Sequence, residues 1–243
     1  MLIPTMDKLV SRVEALRQMC LENLKSKEIR EISVELPTPP FDELYFRKTV
    51  AWCYVLFHET GPFIRFSGKL LRANPPASEA FGKTKQFIDC ARTAHAHNLS
   101  KDQPGDQAKK RTYDIWISEH GGAPTNWENC CHALLNEAEH ILVLIEDAYA
   151  TRCADQTDRE ALWESYKQEK LTFWEAHEFD PFVEKAAKEM DIDGLNCTQF
   201  RNAGKRVDQW RILVAMFDTR EAAEKAIERA IRSELINVFG CAP

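Results

Sequence analysis

The feature that most constrains the fold is the run from Trp127 to Ala148. Cys131, Leu134, Leu135, Ala138, Ile141, Leu142, Ile145 and Ala148 recur at helical spacing without a gap. A stripe this continuous needs neighbours along its whole length, so it predicts the core helix of a bundle. Only 9 of the 243 residues are glycine, few for hairpins and tight turns, and this too favours helices. The expected class is all-α.

Other segments fit the same plan. Thr5 to Lys27 places Leu9, Val13, Leu16, Cys20 and Leu24 on one side. Ile32-Ser-Val-Glu-Leu with the prolines after it reads as an extended connector, at most an edge strand. Helix resumes near Asp42, with Leu44, Val50, Ala51, Tyr54, Val55 and Phe57 as its apolar face, and Gly61-Pro62 ends it. Helices are expected over 63–71, 78–97 and 106–118. Further helices are expected over 158–176, 179–190, 197–216 and 219–238. Capping boxes are read at Thr125 to Glu128, at Thr157 to Glu160 and at Asp218 to Glu221. The polar stretch Cys153 to Asp158 marks the expected boundary between a bundle over residues 1–152 and a smaller helical domain over 158–243.

The net charge of −6 argues against a surface coated with positive charge. Between Gly82 and Arg111, however, seven basic residues face three acids. Lys83, Lys85, Lys101, Lys109, Lys110 and Arg111 are the candidate RNA contacts of this stretch, because a local cationic field draws phosphates. It encloses Arg92-Thr-Ala-His95-Ala-His97-Asn98. A guanidinium offers phosphate a planar fork of donors, and an imidazole exchanges a proton near neutral pH. Arg92, His95, His97 and Asn98 are therefore the candidate catalytic residues. On an ideal helix Arg92 and His97 lie about 140° apart, and Arg92 and His95 about 60°. His97 reaches Arg92 only if the helix end loosens or a second copy supplies its half.

Arg92 to His97 is an R-x4-H element, and here the chain resembles the HEPN superfamily over roughly residues 42–150. The loop after the element, the helix through Trp116, the Gly121-Gly-Ala-Pro124 break and the helix from Trp127 follow in the family's order. The resemblance implies an antiparallel helical bundle whose arginine and histidine face a groove between two protomers. It also implies a metal-independent endoribonuclease, with the role of a toxin or antiviral defence effector and with RNA, a second copy and a protein inhibitor as partners. Thr93 departs from the Asn, Asp or His that family members often carry after the arginine. The competing reading is a helical module that binds RNA or a protein without cutting.

The eight cysteines show no C-x-x-C pair and no zinc spacing, so neither metal nor cofactor is expected. No signal-peptide pattern opens the chain and no apolar run of about 18 residues occurs. A reduced cytoplasm and no membrane association are expected. The aromatics between Trp163 and Trp210 read as core rather than as stacking platforms. Arg201, Lys205, Arg206 and Arg211 form a basic run, read as a solvated face or a partner contact.

Overall fold

In the structure, a computed structural model, residues 5–97 and 99–240 are described. All regular elements among them are helical, and none of these helices is long and apolar enough to cross a membrane. The chain divides into two compact units between Trp163 and Glu164. The division falls inside a helix, a few residues beyond the expected hinge at Cys153 to Asp158.

The first unit contains α1 (Met6–Leu24), α2 (Glu43–Tyr54), α3 (Pro62–Leu70), α4 (Pro75–Ala96), α5 (Pro104–Gly121) and α6 (Trp127–Arg152). Helix α6 contacts each of the other five, as its uninterrupted stripe requires. Cys131, Leu134, Leu135, Ala138, Ile141, Leu142 and Ile145 are all buried. The stripe ends on Tyr149, which is buried, rather than on the half-buried Ala148. Tyr149 stacks on Phe63 of α3. Arg12 of α1 reaches across to Glu139 and Glu146 of α6 at 3.3 and 2.6 Å.

Helix α2 buries only part of the expected face: Val50, and Phe57 in the turn after it, are buried, while Ala51, Tyr54 and Val55 are half-buried. Tyr45, Phe46, Thr49, Val50, Trp52 and Cys53 point inward, while Leu44 is 60% exposed. The aromatic side chains win the interior because each buries more apolar area than a leucine. The helix continues directly into a π turn, Val55–Glu59. Gly61 then turns the chain at φ +113°, a conformation that disfavours any residue with a Cβ, and its own Cβ position lies 3.1 Å from the Glu28 carbonyl. The connector over residues 25–42 forms no strand.

The expected capping boxes give way to single caps. Asn126, not Thr125, accepts from the Asn129 N–H at 3.1 Å, and asparagine outranks threonine at this position. Asp155 rather than Thr157 caps α7 (Gln156–Thr172), accepting from Asp158 at 2.8 Å. Thr219 rather than Asp218 caps the last helix, accepting from Ala222 at 3.3 Å.

The second unit holds the end of α7, then α8 (Asp180–Glu189), α9 (Cys197–Asn202), α10 (Arg206–Val214) and α11 (Arg220–Phe239). The single helix expected over 197–216 is two helices, because Gly204 and Lys205 both adopt positive φ, 62° and 59°. One core gathers Trp174, Phe179, Val183, Phe200, Trp210, Val214, Ile227, Ile231 and Leu235. The rings of Trp174 and Phe179, and of Phe179 and Trp210, lie 5.4 and 5.3 Å apart. These aromatics are core, as the spacing indicates.

The candidate phosphate site at the end of the fourth helix

Arg92 sits in the last turns of α4, and the helix stops one residue before His97. The His97 N–H still donates to the Thr93 carbonyl at 3.1 Å, but its own backbone is extended, with φ −128° and ψ 147°. That change of direction cancels the 140° separation. The side chain swings back, and Arg92 Nη1 lies 3.0 Å from His97 Nε2 within one chain. A guanidinium has only donors, so Nε2 accepts and the imidazole in this contact is neutral with its proton on Nδ1. Asn98, the fourth candidate, lies outside the described residues.

Arg92 is half-buried and His97 exposed. The guanidinium carbon lies 4.9 Å from the Tyr54 ring centre, so the ring of α2 carries the fork on its face. Asp89, one turn earlier on α4, does not neutralise Arg92. It is engaged by Lys109 of α5 at 2.9 Å, and that hydrogen bond holds the lysine above its ordinary pKa. Lys109 also donates to Thr93 Oγ1 at 3.3 Å, while the Thr93 hydroxyl donates to the Asp89 carbonyl at 2.8 Å. Arg92 keeps its charge with no ion pair among the described residues, which is what an anion-binding fork requires.

His95 is held elsewhere. Its Nε2 lies 3.1 Å from the Tyr113 hydroxyl of α5, and its ring meets Phe46 edge-on. Burial first, then the nearby Arg47, depress its pKa to about 4. The helical angle that favours His95 as Arg92's partner therefore gives way: the structure brings His97 to the guanidinium and ties His95 to Tyr113. His95 is neutral in the folded chain at pH values where an unfolded histidine, at 6.5, takes a proton. Stability from this group is complete above about pH 6.5 and falls as the pH drops toward 4. Denaturant melts of the wild type at pH 7 and 4.5 should differ by about 1–2 kcal/mol more than those of His95→Phe, once solvent screening is allowed for. Equal pH dependence in both proteins would contradict this.

The basic stretch is less cationic than its composition. Lys83 pairs with Glu79, Lys109 with Asp89 and Lys110 with Asp114. Lys85 lies over the Phe81 ring at 5.9 Å. Lys101 and Arg111 are exposed and make no ion pair among the described residues. In the second unit the basic run is mostly spent on structure. Arg201 pairs with Asp180 and Arg206 with Glu234, and Arg211 donates to the Trp174 carbonyl.

Sequence reasoning misses Tyr54, whose ring carries Arg92, and His58, which packs on Tyr54. Their rings stack at 4.7 Å and 12°. Their four-residue spacing ahead of Gly61-Pro62 is the sequence signal that could have found them. No group of three His, Cys, Asp or Glu side chains among the described residues is arranged to hold a metal ion. No family model, curated protein or solved structure matches the chain.

Proposed function

We propose that this chain is a metal-independent endoribonuclease of HEPN type, acting as a homodimer whose first unit is the family's helical bundle. The observation that carries the reading is the 3.0 Å contact between Arg92 and His97 at an exposed helix end. When RNA enters, a phosphodiester takes the guanidinium fork, and His97 Nε2 is released from Arg92. The imidazole accepts the proton of the substrate's 2′-hydroxyl as that oxygen attacks the adjacent phosphorus. The P–O5′ bond breaks, the 5′-oxygen leaves as a hydroxyl by taking a proton from water, and the imidazolium returns its proton to the hydroxide left behind. Arg92 offsets the negative charge that builds on the phosphoryl oxygens. The products are a 2′,3′-cyclic phosphate and a 5′-hydroxyl.

Each chain carries its own Arg92–His97 pair, so a dimer would present two pairs to one groove. Lys101 and Arg111 extend the cationic surface, and Lys85, Lys83, Lys109 and Lys110 contribute a weaker field because most are paired. A reduced cytoplasm is the setting we propose, in keeping with seven free cysteines among the described residues. One observation favours the second reading, a module that binds RNA or a protein without cutting. The Thr93 hydroxyl is already donated to the Asp89 carbonyl, so it offers the substrate less than the usual polar residue would. Incubating the protein in EDTA with a mixed RNA pool separates the two: fragments are expected, and an intact pool would favour the binding module. A strictly monomeric solution mass would remove the shared groove.

A further inference from the structure

We infer that the stacked rings of Tyr54 and His58 form a seat for an unpaired nucleobase of the RNA whose phosphate Arg92 and His97 engage. This rests on the ribonuclease reading above. The two rings come from the junction where α2 passes into the π turn Val55–Glu59, a local distortion that re-aims side chains and recurs at functional sites. They lie nearly parallel, at 12° with centres 4.7 Å apart. Tyr54 is half-buried and His58 exposed, so the imidazole leaves a face to solvent while its partner is anchored.

The imidazole is also fixed in its plane. Its Nε2 lies 3.3 Å from the Lys85 carbonyl of α4, which accepts from it and leaves Nδ1 as an acceptor on the ring edge. A ring held by a stack on one side and a carbonyl on its edge loses little freedom when a base lands on it. Desolvation of the ring first, then the Lys85 ammonium, hold its pKa below the usual imidazole value against the opposing pulls of the Lys85 carbonyl and Asp89. A neutral ring is the form that stacks on any base without regard to sequence.

An aromatic pair four residues apart on a helix is by itself ordinary. What distinguishes this one is continuity with the phosphate group: the Tyr54 ring that supports His58 also carries Arg92 at 4.9 Å. One ring thus joins the seat to the fork, and a nucleotide presents a base and a phosphate together. Such a seat would favour single-stranded RNA, because a base stacked within a duplex has no free face.

The test measures binding apart from cleavage, with a fluorescent single-stranded 2′-O-methyl RNA hexamer that lacks the attacking hydroxyl. His58→Ala and Tyr54→Leu should each raise its Kd about 5- to 100-fold. His58→Phe, which keeps a ring, should stay within about 3-fold of the wild type, as judged against the same stacking range. A hexamer with abasic positions should bind the wild type and His58→Ala alike. Equal Kd values for wild type and His58→Ala, an equal loss in His58→Phe, or no binding by the wild type would each overturn the seat. If the wild type cuts RNA while His58→Ala binds the hexamer normally, the seat fails and the nuclease reading stands. If binding depends on the ring but no RNA is cut, the seat stands and the nuclease reading fails.

Discussion

His97→Ala should lower the single-turnover rate of RNA cleavage by about 10²- to 10⁴-fold, the range for losing a positioned base. Arg92→Ala should lower it by about 10²- to 10³-fold, as removal of one charge-stabilising donor does. Neither change should alter the helical circular-dichroism spectrum. His97 is exposed and follows the last residue of α4, and Arg92 is only half-buried. In the ground state Arg92→Ala forfeits the exposed hydrogen bond to His97 and its contact with the Tyr54 face, the latter worth about 0.5–1 kcal/mol. Arg92→Lys should recover little of the rate, since an ammonium cannot span two phosphoryl oxygens as the fork does. His95→Gln is the informative control. Its ring faces Tyr113 and Phe46, so cleavage should persist. Loss in His95→Gln with retention in His97→Ala would reassign the base.

The second large effect is on stability. Trp210 is 1% exposed, packs against Phe179, and donates its indole N–H to Glu234 at 2.7 Å. Trp210→Ala removes one of the two indole rings of that core and leaves the Glu234 carboxylate with Arg206 alone. The cost should be about 3–5 kcal/mol. A domain of this size commands roughly 4–12 kcal/mol in all, so much of the second unit's stability is at stake. Hydrogen exchange reads the outcome: amides of α10 and α11 should lose most of their protection, while those of α6 keep theirs. A loss below about 1 kcal/mol would contradict the packing described here.

The helical plan was legible because burial follows periodicity. The stripe from Cys131 to Ile145 allowed no other element, and its burial follows directly. Where two signals competed, the pattern misled. Leu44 looked like core, yet Tyr45 and Phe46 beside it take the interior. The break at Gly204 within the helix expected over 197–216 was not legible because helical spacing does not register a positive φ.

The candidate site was half legible. Residue types and spacing marked Arg92 and His97, but their meeting depends on one extended residue at a helix end, a backbone choice that no repeat encodes. The basic stretch was overcounted because Lys83 and Lys110 pair along their own helices, and Lys109 pairs across to Asp89. Tyr54 reads only as part of an apolar face and His58 carries no signal of its own, since the contact of Tyr54 with Arg92 is set by how α2 packs on α4. The spent arginines of the second unit follow the same rule: Arg201 and Arg206 find their acids 21 and 28 residues away.

The most direct test concerns the chemistry at the scissile nucleotide. In EDTA, an end-labelled RNA should yield 2′,3′-cyclic phosphate and 5′-hydroxyl ends, and a 2′-deoxy substitution at the cut site should block cleavage there. Cutting of the 2′-deoxy strand, or products ending in 3′-hydroxyl and 5′-phosphate, would contradict an arginine–histidine pair acting on the substrate's own hydroxyl.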